Sequence, residues 1–407
     1  MNSYHLGTVR HSKKKLIVII SCLLTVVALA ATGYILFPHE PKPKKAVASR
    51  IIKPEIVQST VKPESLSGHY LFNGTIFWGR GIEHWAQKPD GTYDYAHPFS
   101  GLGTFGRDKY DAWVADLECP ITSKDVSFKT QVDDLIFNCR PEYTAEAGKY
   151  FNILDLANNH TDNMGPTGLP ETRANLEKNN IQHFGNYDPG VASDTCEIIS
   201  LPIKIVNSDK TLAAATLPVA FCAWHYFYRL PKDGEIEAMK VYSSLMPVFA
   251  FVHMGVEYNT VAQPTQVEIA HKVADQNPEF VIANNPHWIQ NSEAYKGKLI
   301  VYSTGNFIFD QLDSEGMRSA SIDLTATTPY NADLQKWLDI GPKCTAFHDS
   351  CLNMIKQAGL AKPRLSLKYD VVAGDNSGKL TKKGSDQLLA QLKTRLDWDK
   401  TMKALSN

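Results

Sequence analysis

This chain of 407 residues lacks an excess of either charge: 42 Lys and Arg stand against 43 Asp and Glu, a formal net charge of -1. A general nucleic-acid binder needs a basic surplus, so that class is excluded and no nucleic-acid partner is expected. The phosphate-cradling loop GxxxxGK[ST] is absent, so a nucleotide site of that kind is not expected. There is no internal repeat. Cysteine is scarce, seven residues in all, and no spacing among them suggests zinc. Six lie in the main body: Cys119, Cys139, Cys196, Cys222, Cys344 and Cys351. Cys344 and Cys351 form the natural local pair. For the other four, sequence cannot choose among pairings, and free buried thiols are the alternative.

Long hydrophobic runs are missing too, with one exception. Leu16–Phe37 is uncharged over 22 residues. As a helix it is about 33 Å long, enough to cross a bilayer. The alternative, a buried core helix, needs apolar surroundings on every side. The flanking charge is nearly balanced, with Arg10 and Lys13–Lys15 before the run and Lys42, Lys44 and Lys45 after it. A long following domain translocates despite such charge. Residues 1–15 are therefore expected to be a cytoplasmic tail, 16–37 a single-pass anchor in the cell membrane, and the main domain extracytoplasmic, where disulfides are permitted. Ala28–Ala31 offers a cleavage site and Ile19–Cys22 a lipoprotein box. The apolar run continues past the first and is short before the second, which favours an uncleaved anchor. Residues 38–66, rich in Pro and Lys, read as a semi-extended stalk.

The remainder has the composition of a folded domain, 43% hydrophobic and 21% charged over the whole chain, so a core can form. Folding is expected to start near Ser67. Apolar strand-like runs alternate with helical stretches at 169–180 and 265–276, which predicts an α/β sheet over residues 67–327. Residues 328–407 read as a helical insertion followed by a strand and a helix that complete the domain.

Five strand-like runs end in polar clusters: AWVA before Asp116, FNILDLA before Asn158, VFAFV before His253, EFVIA before Asn284 and KLIVY before Ser303. Ligands of open α/β sheets collect outside the carboxyl ends of the strands. Asp, Asn and His gathered there are the side chains that hold divalent metal or move protons. Simpler readings exist for each. Asn158 and Asn159 can cap a turn, His253 and His287 can be hydrogen-bonded strand-end histidines, and Trp288 can be packing. His69, His84, His183, His225 and His271 stand outside the clusters and read as ordinary.

The order of the clusters resembles the CapA family, named for bacterial poly-γ-glutamate capsule synthesis. The stretches that carry the resemblance are Gly74–Arg80, Asp116-Leu117-Glu118, Asn158-Asn159-His160, His253 with Gly255, Glu257 and Tyr258, Asn285-Pro286-His287, and Ser303 with Gly305, Asn306 and Phe307 in the run Tyr302–Gln311. The resemblance implies a calcineurin-like metallophosphoesterase fold, a two-sheet α/β sandwich flanked by helices with its site at the strand ends. It also implies a metal set of Asp116, Asn159, His253 and His287, with His160 as proton donor and Arg80 as a clamp for an anionic oxygen. Glu118, Glu257 and Asn285 are expected to support the metal or contact substrate, Glu257 by holding Arg80 or a backbone amide. Thr75, Asn163 and Asn285 stand where the family carries Asp, Asp and His. Two adjacent ions need anionic ligands to offset their repulsion, so the set predicts at most one divalent ion, Mn, Zn or Fe.

Three functions follow from this reading. The first is a membrane-anchored enzyme acting on an anionic capsule or envelope polymer by metal-assisted hydrolysis or transfer, alongside capsule synthesis and export membrane proteins. The second is a non-catalytic component of such an assembly. The third is a generic metal-dependent phosphoesterase.

Overall fold

The computed structural model describes residues 61–346 and 348–406. The expected tail, anchor and most of the stalk lie outside these residues. Among the described residues no helix is long and apolar enough to cross a membrane.

The described residues carry fourteen paired strands. They are β1 (Pro63–Ile76), β2 (Ala112–Leu117), β3 (Ile153–Asp155), β4 (Gln182–Phe184), β5 (Cys196–Asn207), β6 (Leu212–His225), β7 (Val248–His253), β8 (Phe280–Asn284), β9 (Ser292–Tyr295), β10 (Lys298–Val301), β11 (Asn306–Ile308), β12 (Arg318–Pro329), β13 (Ser366–Asp375) and β14 (Lys382–Lys383). β1 begins inside the stretch assigned to the stalk. Pro63 to Ser67 pair with β5 and Ser65 to Phe72 with β12, so sheet pairing reaches into that stretch.

β1 also explains why the expected two sheets are joined. Its first half alternates buried and partly exposed residues; its second half is buried throughout. The first half runs antiparallel to β12 and β5, the second parallel to β2 and β11. A register shift between Phe72 and Thr75 bends the strand between these partners. One wing continues from β1 through β2 and β3 to β4. The other runs β14-β13-β12-β1-β5-β6-β7-β8-β10-β9. The two sheets of the expectation are thus wings of one hydrogen-bonded network.

Aromatic side chains fill the space between the wings. Phe72 lies 5.2 Å from Phe280 and 5.8 Å from Phe249, and Phe184 lies 5.0 Å from Phe251, centroid to centroid. β7 and β8 are apolar and buried along nearly their whole length, as parallel strands covered on both faces require. Trp113, Leu117 and Leu154 face away from this layer and pack in a second core with Phe77, Trp78 and Phe307.

The C-terminal part completes the sheet. β13 pairs with β12 from Thr327 to Arg318. The insertion forms helices Ala332–Ala346 and His348–Ala358, joined by Cys344–Cys351 as the spacing suggests. The two pairings that sequence left open are Cys119–Cys139 and Cys196–Cys222. Cys196 and Cys222 stand opposite each other on antiparallel β5 and β6.

Candidate functional site

β2, β3, β7 and β8 all end on the same side of the network, and this brings the polar clusters together. The turns that present them are tightly constrained. Arg80, Tyr258, Asn285 and His287 have φ values of 43°, 61°, 97° and 59°, a region side chains rarely occupy. Such conformations persist only where surrounding contacts hold them, and they gather at functional sites. Asn285 is held by donating from Nδ2 to the Gly255 carbonyl at 2.7 Å, and Tyr258 by its N–H to the Pro286 carbonyl at 2.9 Å.

Asp116 is enclosed by donors. Its Oδ2 accepts from the Thr75 hydroxyl at 3.2 Å and lies 3.0 Å from His253 Nδ1; its Oδ1 accepts from Asn158 Nδ2 at 3.2 Å. Asn158 also donates to the Leu117 carbonyl and accepts from the His160 N–H, so it braces the turn. Asn159 reaches the imidazole instead, with its Oδ1 2.9 Å from His253 Nε2. Because a carboxylate only accepts, His253 carries a proton on Nδ1, and its Nε2 is partnered by the Asn159 side-chain amide.

The second group centres on Glu118. Its Oε1 lies 3.7 Å from His160 Nε2 and 3.8 Å from His287 Nε2, and Glu257 Oε1 lies 3.9 Å from His287 Nε2. Both histidine tautomers follow from their neighbours. Asn163 Oδ1 accepts from the Phe137 N–H at 2.7 Å, so it is an oxygen, and His160 Nδ1, 2.9 Å away, donates to it. Asn306 Nδ2 donates to Gln311 Oε1 and the Gly316 carbonyl, so its Oδ1 accepts from His287 Nδ1 at 2.8 Å. Each imidazole therefore points a bare Nε2 toward Glu118.

Burial shapes the charges here. It raises the Glu118 carboxyl well above the ordinary range, reinforced by Asp116 and Glu257 and opposed by Arg80. It lowers His160 and His287 to about 4, against the hydrogen bonds they donate to Asn163 and Asn306. Both imidazoles are thus neutral at pH 7. His160, expected as a proton donor, presents a lone pair and takes a proton before it can give one.

Arg80 departs from expectation. Its Nε donates to Asp310 Oδ2 at 2.7 Å and its second terminal nitrogen to Oδ1; Asp310 also accepts from the Gly81 N–H. With this bidentate partner, Arg80 is not a free clamp for an anion. The expectation that Glu257 holds Arg80 fails with it, since Asp310 takes that place.

Among the described residues, no three His, Cys, Asp or Glu side chains are drawn together so as to hold a metal ion as they stand. Three buried atoms around the site nevertheless lack any hydrogen-bond partner: Glu118 Oε2, Asn285 Oδ1 and His225 Nε2.

The sequence matches the family described as bacterial capsule synthesis protein PGA_cap over residues 69–216 and 229–311, more than half of the chain. The chain belongs to this family. It is 23% identical over 252 residues to the capsule biosynthesis protein CapA of Bacillus anthracis, covering 58% of this chain and 59% of that protein. It is 26% identical over 255 residues to the PGA biosynthesis protein CapA of Bacillus subtilis (strain 168), covering 59% of this chain and 63% of that one. The chain therefore spans about three fifths of the length of these relatives. A calcineurin-like phosphoesterase, YfkN from Bacillus subtilis, superposes with a TM-score of 0.41 at 12% identity, over 84% of this chain and 100% of that chain.

The PGA_cap match contains every site residue expected from sequence. Sequence reasoning overlooked Asp310, Asn163 as the partner of His160, Asn306 as the partner of His287, and His225. Asp310 lies in the run Tyr302–Gln311, next to the last motif. His225 ends β6 as His253 ends β7, and that repeated pattern was the available signal.

Proposed function

We propose that this chain acts in the synthesis or export of poly-γ-glutamate or a similar anionic envelope polymer, and that its strand-end site takes one divalent cation. Family membership and the names of the CapA relatives support the polymer class. The observation that carries the cation is the set of unpartnered buried acceptors, Glu118 Oε2 and Asn285 Oδ1, beside the bare Nε2 atoms of His160 and His287. Acceptors without donors call for positive charge. The polymer makes the same demand, because Asp116 repels an anionic chain and Arg80 is already paired with Asp310.

Glu118, Asn159, His253 and His287 would hold the ion. Asp116, expected as a ligand, acts instead through His253 Nδ1, the carboxylate–histidine arrangement that fixes a ligating imidazole. When bound, such an ion supplies Lewis-acid polarisation of the group to be attacked. Asn163 orients His160 so that its Nε2 faces the same space as a proton acceptor. Location outside an anchoring helix at Leu16–Phe37 is part of this reading, and the three disulfides support it.

A second reading is a non-catalytic member of the assembly. It is favoured by Thr75 and Asn285, neutral where the family carries charge or imidazole, and by the saturation of Asp116. A deletion strain separates the two. Glu118→Gln is expected to leave surface polymer unrestored while the protein accumulates normally. Full restoration by that variant would establish the second reading.

A further inference from the structure

His225 ends β6 directly opposite His253 in the parallel register with β7. It is 4% exposed. Its Nδ1 lies 3.2 Å from the Tyr187 carbonyl oxygen. A carbonyl only accepts, so Nδ1 carries the proton and Nε2 is a bare lone pair. That lone pair is buried and has no partner. A buried polar atom left so loses its hydration and gains nothing in return.

The surroundings say what would satisfy it. The His253 ring centre is 5.9 Å away, at 65° between planes. Two imidazoles sharing one ion at metal–nitrogen distances of about 2.1 Å bring their ring centres roughly 5–6 Å apart. Ligating histidines usually donate their other nitrogen to a carbonyl or carboxylate. His225 does so with Tyr187, as His253 does with Asp116. Tyr228 packs edge-on at 5.5 Å and is 65% exposed, so the side chain covering His225 from outside is not itself locked in the core.

We propose that His225 is a further ligand of the divalent cation, binding through Nε2 beside His253. The inference rests on the cation reading above. It adds a residue that lies between the two family-matched segments, 69–216 and 229–311, so the family pattern does not supply it. With His225 and His253 both contributing nitrogen, the site favours borderline ions such as Zn2+ and Co2+ over Mn2+ and Mg2+.

The test uses the full chain, stripped with a chelator and titrated with Co2+, read by calorimetry and by visible absorption. His225→Phe keeps a ring without a ligand atom; His225→Gln restores an oxygen donor. The phenylalanine variant is expected to bind Co2+ about 10-fold more weakly or worse and to change the absorption band. The glutamine variant should recover part of the affinity with a band shifted from wild type. If wild type binds Co2+ and both variants bind it equally well with an unchanged band, His225 is not a ligand and the cation reading survives. If wild type binds no Co2+, both fall. Should the phenylalanine variant fail to fold, the band of the glutamine variant decides.

Discussion

Asp116 and Glu118 stand two residues apart, and their neighbours give them opposite roles. Asp116 meets three donors; Glu118 meets two bare imidazole nitrogens and keeps an unpartnered oxygen. Sequence placed both at the site but not in these roles, because the donors around Asp116 come from β1, β7 and the turn after β3. Arg80 gives a second case. Its place in the motif was legible and its occupation by Asp310, 230 residues away, was not. That pair is largely buried, with side chains 14% and 8% exposed. Removing Asp310 strands a guanidinium among Phe77, Phe137 and Phe309. Asp310→Ala is expected to cost about 3 kcal/mol in urea unfolding. A loss below about 1 kcal/mol would mean the pair is no more than a surface ion pair.

At the scale of elements, the strands were the legible part. Apolar runs ending in Asp116, His253 and Asn284 are β2, β7 and β8, because strands buried on both faces must be apolar throughout. The double membership of β1 was not legible, since its partners and its bend are tertiary facts. Gly74 marks the place. A β-carbon there would lie 1.9 Å from the Gly305 carbonyl oxygen, and the Thr75 N–H donates to that same oxygen at 3.0 Å. Gly305 itself has φ 73°. Gly74→Ala should therefore force β1 and the loop before β11 apart, at a cost of about 2 kcal/mol. Denaturant titration measures the cost. The neighbouring Thr75–Asp116 contact should loosen with it, and an unchanged midpoint would show that the loop yields freely.

For the whole molecule, the polar clusters read from sequence lie at strand ends that the sheet brings to one side. The disulfide partners were beyond reach except for Cys344–Cys351, because Cys119–Cys139 and Cys196–Cys222 depend on which strands lie side by side. Burial of the imidazoles has a consequence for overall stability. His160 and His287 are held near 4 in the fold, below the ordinary histidine value. Between that value and about 6.5 the unfolded chain binds more protons, so stability contributed by these two rises with pH through the window and is lost below it. Glu118 acts the other way, since its raised carboxyl favours the fold at low pH and loses that contribution as pH rises. A comparison with the His160→Gln, His287→Asn double variant, both chelator-treated, isolates the histidines. Wild type should lose melting temperature relative to the variant as pH falls from about 6.5 to 4. Parallel curves would show that the imidazoles are not buried neutral.

Whether the strand-end lone pairs are there for a cation is decided most directly by the metal content of the full chain after chelation and dialysis against Zn2+ and Mn2+. It should be about one ion per chain in wild type, and little in Glu118→Gln or His253→Gln. A wild-type chain that retains no ion would contradict the cation site.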